Sequence, residues 1–321
     1  MLDLEKTLDV SMSAAITAGN RVLELSRNNL IVPDQVNRRV INYKDGAPEG
    51  KPFYRTLKKT NADILSHDTI VEILRREFPE FPVLSEEEYI KVREVPTGTP
   101  YFIVDPIDGT IHLEKGSSQW TINVALCVDG NPIMGVVVVP AENKVYFGTK
   151  EMASQWSLCE SPKKRNSLKP PKRSRPDLIV SQCAPEDLGG AEDSVPSTIM
   201  EANSLSYSYM SGSAYRYTEI ATGAIDLIVH GMGNFLWDKA AAQVIIEGTG
   251  GKLVELPWNS SKQPTGEIIA ETSSCLPMQY HANKLKDDGH IVLSQNAVEG
   301  LEKLVIPDSV DRRSFWKFVI I

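Results

Sequence analysis

The stretch that most constrains this chain is Val104–Thr110, in which two aspartates bracket a proline directly after an apolar run. The run 101–104, Tyr-Phe-Ile-Val, is typical of a short buried strand. Pro106 fixes its own φ and so restrains Asp105 and Asp108 at the end of that strand. Two carboxylates at this spacing suit Mg²⁺, which prefers carboxylate, carbonyl and water oxygens. An acidic surface turn is the alternative interpretation, because Asp, Pro and Gly are ordinary turn residues.

The composition argues against several classes of protein. The chain has 321 residues, 41% of them hydrophobic, which is enough for one large domain or two fused units. Its net charge of −8 argues against a surface that binds nucleic acid throughout. The apolar runs are too short to cross a membrane, and the first residues lack the apolar segment of a signal peptide. The four cysteines are scattered without metal-ligand spacing, so we expect a cytoplasmic protein with reduced thiols.

Three further motifs accompany the aspartates. Thr60-Asn61-Ala62-Asp63 predicts a helix that starts at Thr60 and carries an acid in its first turn. Residues 81–87, Phe-Pro-Val-Leu-Ser-Glu-Glu, predict a strand from Pro82 to Ser85 that ends in paired glutamates. Residues 237–241 read Trp-Asp-Lys-Ala-Ala, and two glycines follow at 250–251.

In this order, the four motifs resemble the signatures of the inositol monophosphatase superfamily of Mg²⁺-dependent, lithium-sensitive phosphatases. The resemblance covers the chain from about residue 60 to residue 256. It implies an α+β fold, a layered α-β-α-β-α sandwich of the inositol monophosphatase and fructose-1,6-bisphosphatase type. It also implies an N-terminal α+β half over residues 1–176, which carries most metal ligands. A C-terminal α/β half over residues 177–321 would complete the active site, and the protein would be a homodimer.

The resemblance also implies a site for two or three Mg²⁺ ions. Asp105 is expected to bridge two of them. Glu86 and the carbonyl of Ile107 would complete the protein ligands of the first ion. Asp108 and Asp238 would complete those of the second.

Catalytic roles are implied for three of the motif residues. Thr110 would align a water for attack on phosphorus, and Glu86 or Asp63 would accept its proton. The N–H groups of Gly109 and Thr110, at the start of a helix, would cradle the phosphate. The remaining predicted substrate contacts are Gly212, Ser213, Arg216 and Asp238.

The substrate is predicted from the sequences of two segments and from one basic residue. Residues 83–87 and 121–126 resemble the 3'(2'),5'-bisphosphate nucleotidase branch, and Arg216 suits a second anionic group. An arginine on a helix surface is the alternative interpretation of that residue. The leading prediction is removal of the 3'-phosphate from bisphosphate nucleotides such as adenosine 3',5'-bisphosphate. An inositol monophosphatase, or another sugar or small-metabolite phosphate monoesterase, is the alternative, because residues 57–59 and 111–113 depart from the family pattern.

Two hypotheses from other classes stay open. A non-catalytic sensor of a phosphorylated ligand has less support, because every expected metal ligand is present. An RNA-associated protein would use the seven basic residues of 161–176, but that segment lacks the interleaved aromatic residues that stack on bases. We favour a solvated loop there. The predicted partners are therefore a small phosphorylated metabolite and a second copy of the chain, with no nucleic acid and no membrane.

Hydrophobic periodicity predicts the other elements. A helix is expected over residues 3–28, and residues 31–56 are expected to be irregular. A hairpin turn at 129–131 should join two strands of a meander. The remaining expected strands are 120–128, 132–139, 144–149, 177–181, 225–229 and 291–293, and the remaining expected helices are 237–247 and about 297–304.

Overall fold

The fold is seen in a computed structural model of the chain. It describes residues 2–33, 39–43, 53–57, 59–88, 95–158, 165–172, 180–183, 207–210, 212–230, 235–255, 267–269, 280, 290–300 and 303–305. The helices in these ranges are α1 Leu4–Arg27, α2 Asn61–Glu77, α3 Thr110–Glu114, α4 Ser213–Thr222, α5 Ala240–Gly248 and α6 Gln295–Gly300. The strands of the first half are β1 Arg39–Tyr43, β2 Phe53–Leu57, β3 Val83–Ser85, β4 Tyr101–Asp108, β5 Thr121–Val128, β6 Asn131–Val139, β7 Lys144–Thr149, β8 Met152–Ser157 and β9 Asn166–Ser167. Those that follow are β10 Val180–Cys183, β11 Tyr207–Met210, β12 Leu227–His230, β13 Lys252–Glu255, β14 Glu267–Ile269, β15 His290–Leu293 and β16 Lys303–Val305.

A seven-stranded sheet, in the order β3-β4-β5-β6-β7-β8-β9, forms the centre of the first half. All its neighbours are antiparallel except β3 and β4, which run parallel. The predicted hairpin between β5 and β6 is confirmed. Asp129 and Gly130 in its turn both have positive φ, at 49° and 77°, which matches the twist of antiparallel strands.

A five-stranded sheet, in the order β11-β10-β12-β15-β13, forms the centre of the second half. The strands β11, β10 and β12 are parallel, and β15 and β13 continue the sheet antiparallel. Two small ladders, β1 with β2 and β14 with β16, and an isolated bridge between Pro33 and Thr60 complete the pairings among the described residues.

Two apolar cores lie on opposite faces of the seven-stranded sheet. On one face, α1 and α2 pack against side chains of β4 to β7, such as Phe102 and Val136. On the other, α4 and α5 lie between the seven-stranded sheet and the five-stranded sheet, with Tyr217 and Trp237 fully buried. Helices, sheet, helices and sheet are therefore stacked in that order, which confirms the layered α+β fold.

Several boundaries differ from the predicted ones. The expectation that residues 31–56 are irregular is wrong, because β1 and β2 pair as antiparallel strands there. The two strands have short β-branched and aromatic runs, and the polar segment 44–52 between them lies outside the described residues. A helix near 297–304 is also wrong at its end: α6 stops at Gly300, and β16 follows. The helix expected from 237 begins at Ala240, after a turn.

The described part of the chain contains no helix of the length and apolarity needed to cross a bilayer. Cys127 is a free, buried thiol, which agrees with the expected reduced cysteines. In the basic segment 161–176, the described Asn166 and Ser167 pair with β8, and Arg165 forms an ion pair with Asp9. These described residues therefore pair with the edge of the seven-stranded sheet, but Arg165, Asn166 and Ser167 are exposed to solvent, as expected for a solvated segment.

The contact between β6 and α5 depends on a glycine. A Cβ built on Gly135 would lie 2.1 Å from the carbonyl oxygen of Ala241 in α5, which is far inside van der Waals contact. Backbone atoms on both sides leave no flexible group to move. The absent side chain at position 135 therefore sets how closely α5 approaches the sheet.

Replacing this glycine tests that packing. We expect Gly135→Ala to lower the free energy of unfolding by about 3 kcal/mol, the cost of strong overpacking in a core. Gly98→Ala is the control, because a Cβ on Gly98, unlike one on Gly135, would have no atom within 4 Å. The φ of +77° at Gly98 should cost only about 1 kcal/mol of backbone strain. Urea unfolding followed by circular dichroism measures both values. Equal losses in the two variants would contradict the close approach of α5.

Candidate metal centre

A β-bulge brings the two aspartates of β4 to the same face of the sheet. Residues three apart on a regular strand point to opposite faces. Here Asp105 lies opposite Asn123 and Asp108 lies opposite Thr121, so β4 uses three steps where β5 uses two. The extra residue restores the alignment of the two carboxylates. The irregularity also accommodates Pro106, which has no N–H for a regular ladder.

Hydrogen bonds fix the geometry of the bulge. The N–H of Ile107 donates to Asp105 Oδ1 at 3.1 Å. The carbonyl of Pro106 accepts from the hydroxyl of Ser66 on α2 at 2.7 Å, and the carbonyl of Ile107 lies 3.4 Å from Thr110 Oγ1. The backbone groups that leave the ladder are therefore held by neighbouring side chains.

Three of the predicted metal ligands form a tight cluster. One carboxylate oxygen each from Asp105, Asp108 and Asp238 lies within 4.8 Å of the other two. Asp238 comes from the turn before α5, where the N–H of Phe235 donates to its Oδ2 at 2.9 Å. The ring of Trp237 stacks on Phe235 at 4.6 Å between centroids, which stiffens that turn. The cluster therefore joins the two halves of the sequence.

Glu86 follows β3 at the edge of this cluster. Its N–H donates to the carbonyl of Val104 at 3.1 Å, and its charge acts on Asp105. Its carboxylate lies outside the group of three. The next two acids point to other partners: Glu87 forms an ion pair with Lys59, and Glu88 pairs with Arg75 on α2.

Asp63 links the start of α2 to Thr110. Its Oδ2 accepts from the N–H of Thr60 at 2.7 Å and from the Thr60 hydroxyl at 2.6 Å. The N–H of Ala62 donates to the hydroxyl of Thr60 at 3.2 Å, which confirms Thr60 as the N-cap. Asp63 Oδ1 accepts from the hydroxyl of Thr110 at 2.9 Å. The structure thus brings together the predicted pair of a proton acceptor and a water-aligning hydroxyl.

The N-terminus of α4 is bound to the acidic cluster. The N–H of Ala214 donates to Asp108 Oδ2 at 2.7 Å, and the N–H of Ser213 also bonds this carboxylate. Gly212 precedes the helix with a φ of 76°, a conformation that favours glycine. The predicted Gly-Ser helix start is therefore adjacent to the acidic cluster, and two of the N–H groups of the helix bind Asp108.

Arg216 lies on the buried side of α4. It is 1% exposed, so the interpretation of an arginine on a helix surface is wrong. Its positive charge acts to lower the pKa of Asp108, which places the guanidinium close to the cluster. The buried guanidinium therefore offsets part of the negative charge of the cluster.

Burial raises the pKa values of the acids in this centre. For Asp108, burial and then the charge of Asp238 raise the pKa to about 7, against the bonds from α4. Burial likewise raises the pKa of Asp63 to about 6. For Asp105 and Glu86, burial and the neighbouring carboxylates raise the pKa well above its ordinary range.

This donor set fits a hard divalent cation. Carboxylate oxygens and a backbone carbonyl are the ligands that such ions prefer. Burial disfavours the charged form of each acid, and the neighbouring carboxylates repel one another in the absence of a positive charge; both effects raise the pKa values. A bound cation would remove it.

Some residues of the site were missed in the sequence. Ser66, which holds the bulge, and His67, whose Nδ1 lies 2.8 Å from the hydroxyl of Ser85, both belong to α2. Together with Asp63 and Ile70 they share the helical spacing of one face, and all are buried. Polar residues that recur at this spacing on an otherwise apolar helix face indicate buried polar contacts, and this pattern could have identified Ser66 and His67 from the sequence.

Comparison with known proteins identifies the family. The sequence pattern of the inositol monophosphatase family matches residues 3–288. The chain belongs to this family. The enzyme class predicted from the sequence, a phosphoric monoester hydrolase, is thereby confirmed. The family is generally metal-dependent, and the cluster of Asp105, Asp108 and Asp238 could hold the metal.

Among similar proteins of the inositol monophosphatase family are two bacterial enzymes named 3'(2'),5'-bisphosphate nucleotidase CysQ. The one from Salmonella typhimurium is 29% identical over 235 residues, which covers 72% of this chain and 87% of the relative. The one from Buchnera aphidicola is 25% identical over 248 residues, covering 77% and 84%. The crystal structure of CysQ from Bacteroides thetaiotaomicron superposes with a TM-score of 0.62 and 24% identity, covering 90% of this chain and 97% of that one. This superposition supports the shared fold.

The pKa values of the metal centre generate a prediction about stability. The folded pKa of Asp108, about 7, lies above its ordinary value of 3.8. Its contribution to stability is therefore present at low pH and is lost as the pH rises through about 7. We expect the melting temperature of EDTA-treated protein to rise when the pH falls from about 8 to about 6, and Asp108→Asn to flatten that dependence.

Divalent cations should reverse this loss of stability at high pH, because they bind the ionised acids and displace the protons of the others. We expect added Mg²⁺ to raise the melting temperature more at about pH 8 than at about pH 6. Differential scanning fluorimetry measures both dependences. The same Mg²⁺ shift in wild type and in Asp108→Asn at both pH values would contradict this centre.

Proposed function

We propose that this member of the inositol monophosphatase family removes the 3'-phosphate from 3'(2'),5'-bisphosphate nucleotides such as adenosine 3',5'-bisphosphate, with Mg²⁺ as cofactor. The observation that carries the proposal is the buried Arg216, whose charge acts on the acidic cluster. A substrate with a second phosphate would give this guanidinium a bidentate partner. Similarity to two enzymes named bisphosphate nucleotidase supports the same substrate class.

The residues that would hold two or three Mg²⁺ ions are Glu86, Asp105, the carbonyl of Ile107, Asp108 and Asp238. When bound, such ions neutralise phosphoryl oxygens, activate a water and stabilise the leaving oxygen. Mg²⁺ is favoured over softer metals because every donor is an oxygen.

The chain's own groups orient the substrate and handle the proton. Thr110 donates its hydroxyl hydrogen to Asp63 Oδ1, so the lone pairs of its oxygen can accept a hydrogen bond from the attacking water. Asp63, with a pKa of about 6, suits a proton acceptor near neutral pH. The N–H groups of Gly109 and Thr110 would orient the phosphate.

The second part of the substrate would lie at α4. Gly212 and Ser213 begin this helix next to Asp108, and Arg216 follows one turn later. We assign the nucleotide's other phosphate to Arg216, with Gly212 and Ser213 lining the path to it. The homodimer, the cytoplasmic location and the division of the chain at residue 176 stay predictions.

Removing the charge of a predicted metal ligand tests the chemistry. We expect Asp105→Asn to reduce kcat by at least about a hundredfold, because an amide cannot neutralise the cations that stabilise the transition state. Its melting temperature without Mg²⁺ should stay at or above that of wild type, because asparagine replaces a buried acid that is costly to ionise. Phosphate release and a thermal melt measure the two effects. Near wild-type Mg²⁺-dependent turnover would contradict the assignment.

A panel of phosphate esters tests the substrate. We expect adenosine 3',5'-bisphosphate to be turned over with a higher kcat/KM than inositol 1-phosphate, fructose 1,6-bisphosphate or histidinol phosphate. Arg216→Met should cost about a hundredfold in kcat/KM for the bisphosphate nucleotide, the loss of a bidentate charged contact. The same variant should cost less than about tenfold for adenosine 3'-monophosphate, which lacks the second phosphate.

The outcomes of the panel separate the alternatives. A preference for inositol 1-phosphate or a sugar phosphate would move the substrate assignment to that class and leave the metal chemistry standing. An equal loss on both nucleotides in Arg216→Met would contradict its role toward the second phosphate. Mg²⁺ binding without turnover of any ester would favour a sensor of a phosphorylated ligand.

A further inference from the structure

Glu142 is the centre of a hydrogen-bond network that the proposed chemistry does not use. It lies in the short turn of residues 140–142 between β6 and β7. Its carboxylate accepts from the hydroxyl of Tyr215 at 2.8 Å, from Lys144 Nζ at 2.7 Å and from the hydroxyl of Ser118 at 3.2 Å. Burial acts to raise the pKa of Glu142, but these bonds outweigh burial and lower it. The group is therefore an anion at neutral pH.

Two of these three partners belong to segments that reach the metal centre. Tyr215 follows Ala214 on α4, and the N–H of Ala214 bonds Asp108 at 2.7 Å. Ser118 precedes Gln119 in the loop between α3 and β5. One carboxylate thus holds the helix that contacts a metal ligand and the loop that follows the phosphate-binding turn.

The loop and the helix also touch each other next to the cluster. A Cβ on Gly212 would lie 2.5 Å from the carbonyl oxygen of Gln119, and a Cβ on Gly109 would lie 3.0 Å from the same oxygen. The Gln119 carbonyl is therefore packed against both glycine turns of the site. A displacement of this loop would move Gly109, Gly212 or both.

These contacts form a closed ring. From Glu142 it runs through Ser118 and Gln119 to Gly212, and from there along α4 through Tyr215 back to Glu142. Each step is a hydrogen bond, a peptide bond or a backbone contact. A closed ring of this kind restrains each member more than a single contact does, because a shift of one group must break a second contact.

We propose that Glu142 is a positioning residue for the metal centre: by holding Tyr215 and Ser118 together, it keeps the N-terminus of α4 on Asp108. The inference rests on the proposed function in so far as Asp108 is a metal ligand. Glu142 touches neither the metal ligands nor the predicted phosphate site among the described contacts, and it acts through α4 and the loop of residues 117–120.

Lys144 provides an internal control. It bonds Glu142 but neither Ser118 nor Tyr215 in the contacts of the described residues, and it is 37% exposed. An ion pair near the surface contributes little. If Glu142 served only this pair, Lys144→Met and Glu142→Ala would have the same effect.

The experiment compares four variants of the full chain: Tyr215→Phe, Glu142→Ala, Lys144→Met and, at a remote exposed site, Glu151→Gln. Hydrogen exchange of the peptide that contains Ala214 reports directly on its bond to Asp108. Phosphate release at varied Mg²⁺ and substrate separates half-saturating concentrations from kcat, and a thermal melt reports on global stability.

In Tyr215→Phe we expect roughly a tenfold rise in the half-saturating Mg²⁺ concentration and in KM, which corresponds to the loss of one charge-assisted hydrogen bond. In Glu142→Ala, which also loses the bonds from Ser118 and Lys144, we expect a rise of at least this size. Saturating Mg²⁺ and substrate should restore kcat to within about threefold, because a bound ion holds Asp108 in place. Exchange at Ala214 should become faster. Lys144→Met and Glu151→Gln should resemble wild type in all three readouts.

Three results would overturn the proposal. The first is unchanged exchange at Ala214 and unchanged Mg²⁺ dependence in Tyr215→Phe and Glu142→Ala. The second is an equal effect in Lys144→Met. The third is a lower melting temperature with neither a Mg²⁺ shift nor faster exchange, which would make Glu142 a stability residue only.

A fifth variant, Asp108→Asn, separates this inference from the proposed function. Wild-type Mg²⁺ dependence in Asp108→Asn would refute Asp108 as a ligand, and the exchange measurement at Ala214 would still decide whether Glu142 positions α4. An inactive Asp108→Asn combined with wild-type behaviour of Tyr215→Phe and Glu142→Ala would refute the positioning role alone.

Discussion

One extra residue in β4 is the constraint on which the centre of this protein depends. A strand alternates its side chains, so an odd spacing such as that of Asp105 and Asp108 would place one carboxylate toward α1 and α2 and the other toward α4 and α5. The bulge cancels that alternation and delivers both to the layer between the sheets. There Asp238 can meet them from a turn in the second half of the chain. Without the bulge, the same three acids on the same fold would not converge.

The convergence has an electrostatic cost that the surrounding structure offsets in part. Burial raises the pKa of Asp105, and the neighbouring acids raise it further. Against this, α4 directs its first N–H groups at Asp108, and Arg216 adds a positive charge in a buried position. These groups belong to the second half of the chain, whereas β4 belongs to the first. Part of what holds the two halves together is therefore the attraction between a negative site on one and a positive helix end on the other.

The parts of the site that a short motif encodes could be predicted from the sequence, and the parts that depend on tertiary packing could not. The cap at Thr60, the acid at Asp63 and the strand before Asp105 are local features, and the structure contains each of them. The burial of Arg216 is different, because a helix position alone does not reveal which layer will cover it. Glu142 was missed for the same reason: it resembles any polar turn residue until the fold brings Ser118 and Tyr215 to it.

The contacts of Asp63 restrict which amino acids position 63 can accept. Asparagine, serine and threonine are all good residues near helix starts, and a helix under no other demand could exchange them freely. In α2 the two carboxylate oxygens of Asp63 accept hydrogen bonds from different residues, one from Thr60 and the other from Thr110. An amide offers only one acceptor oxygen, and a hydroxyl side chain is too short to replace both. Position 63 is therefore closed to substitutions that its helix alone would tolerate, so natural drift at this position should be slower than at other first-turn residues of the same fold.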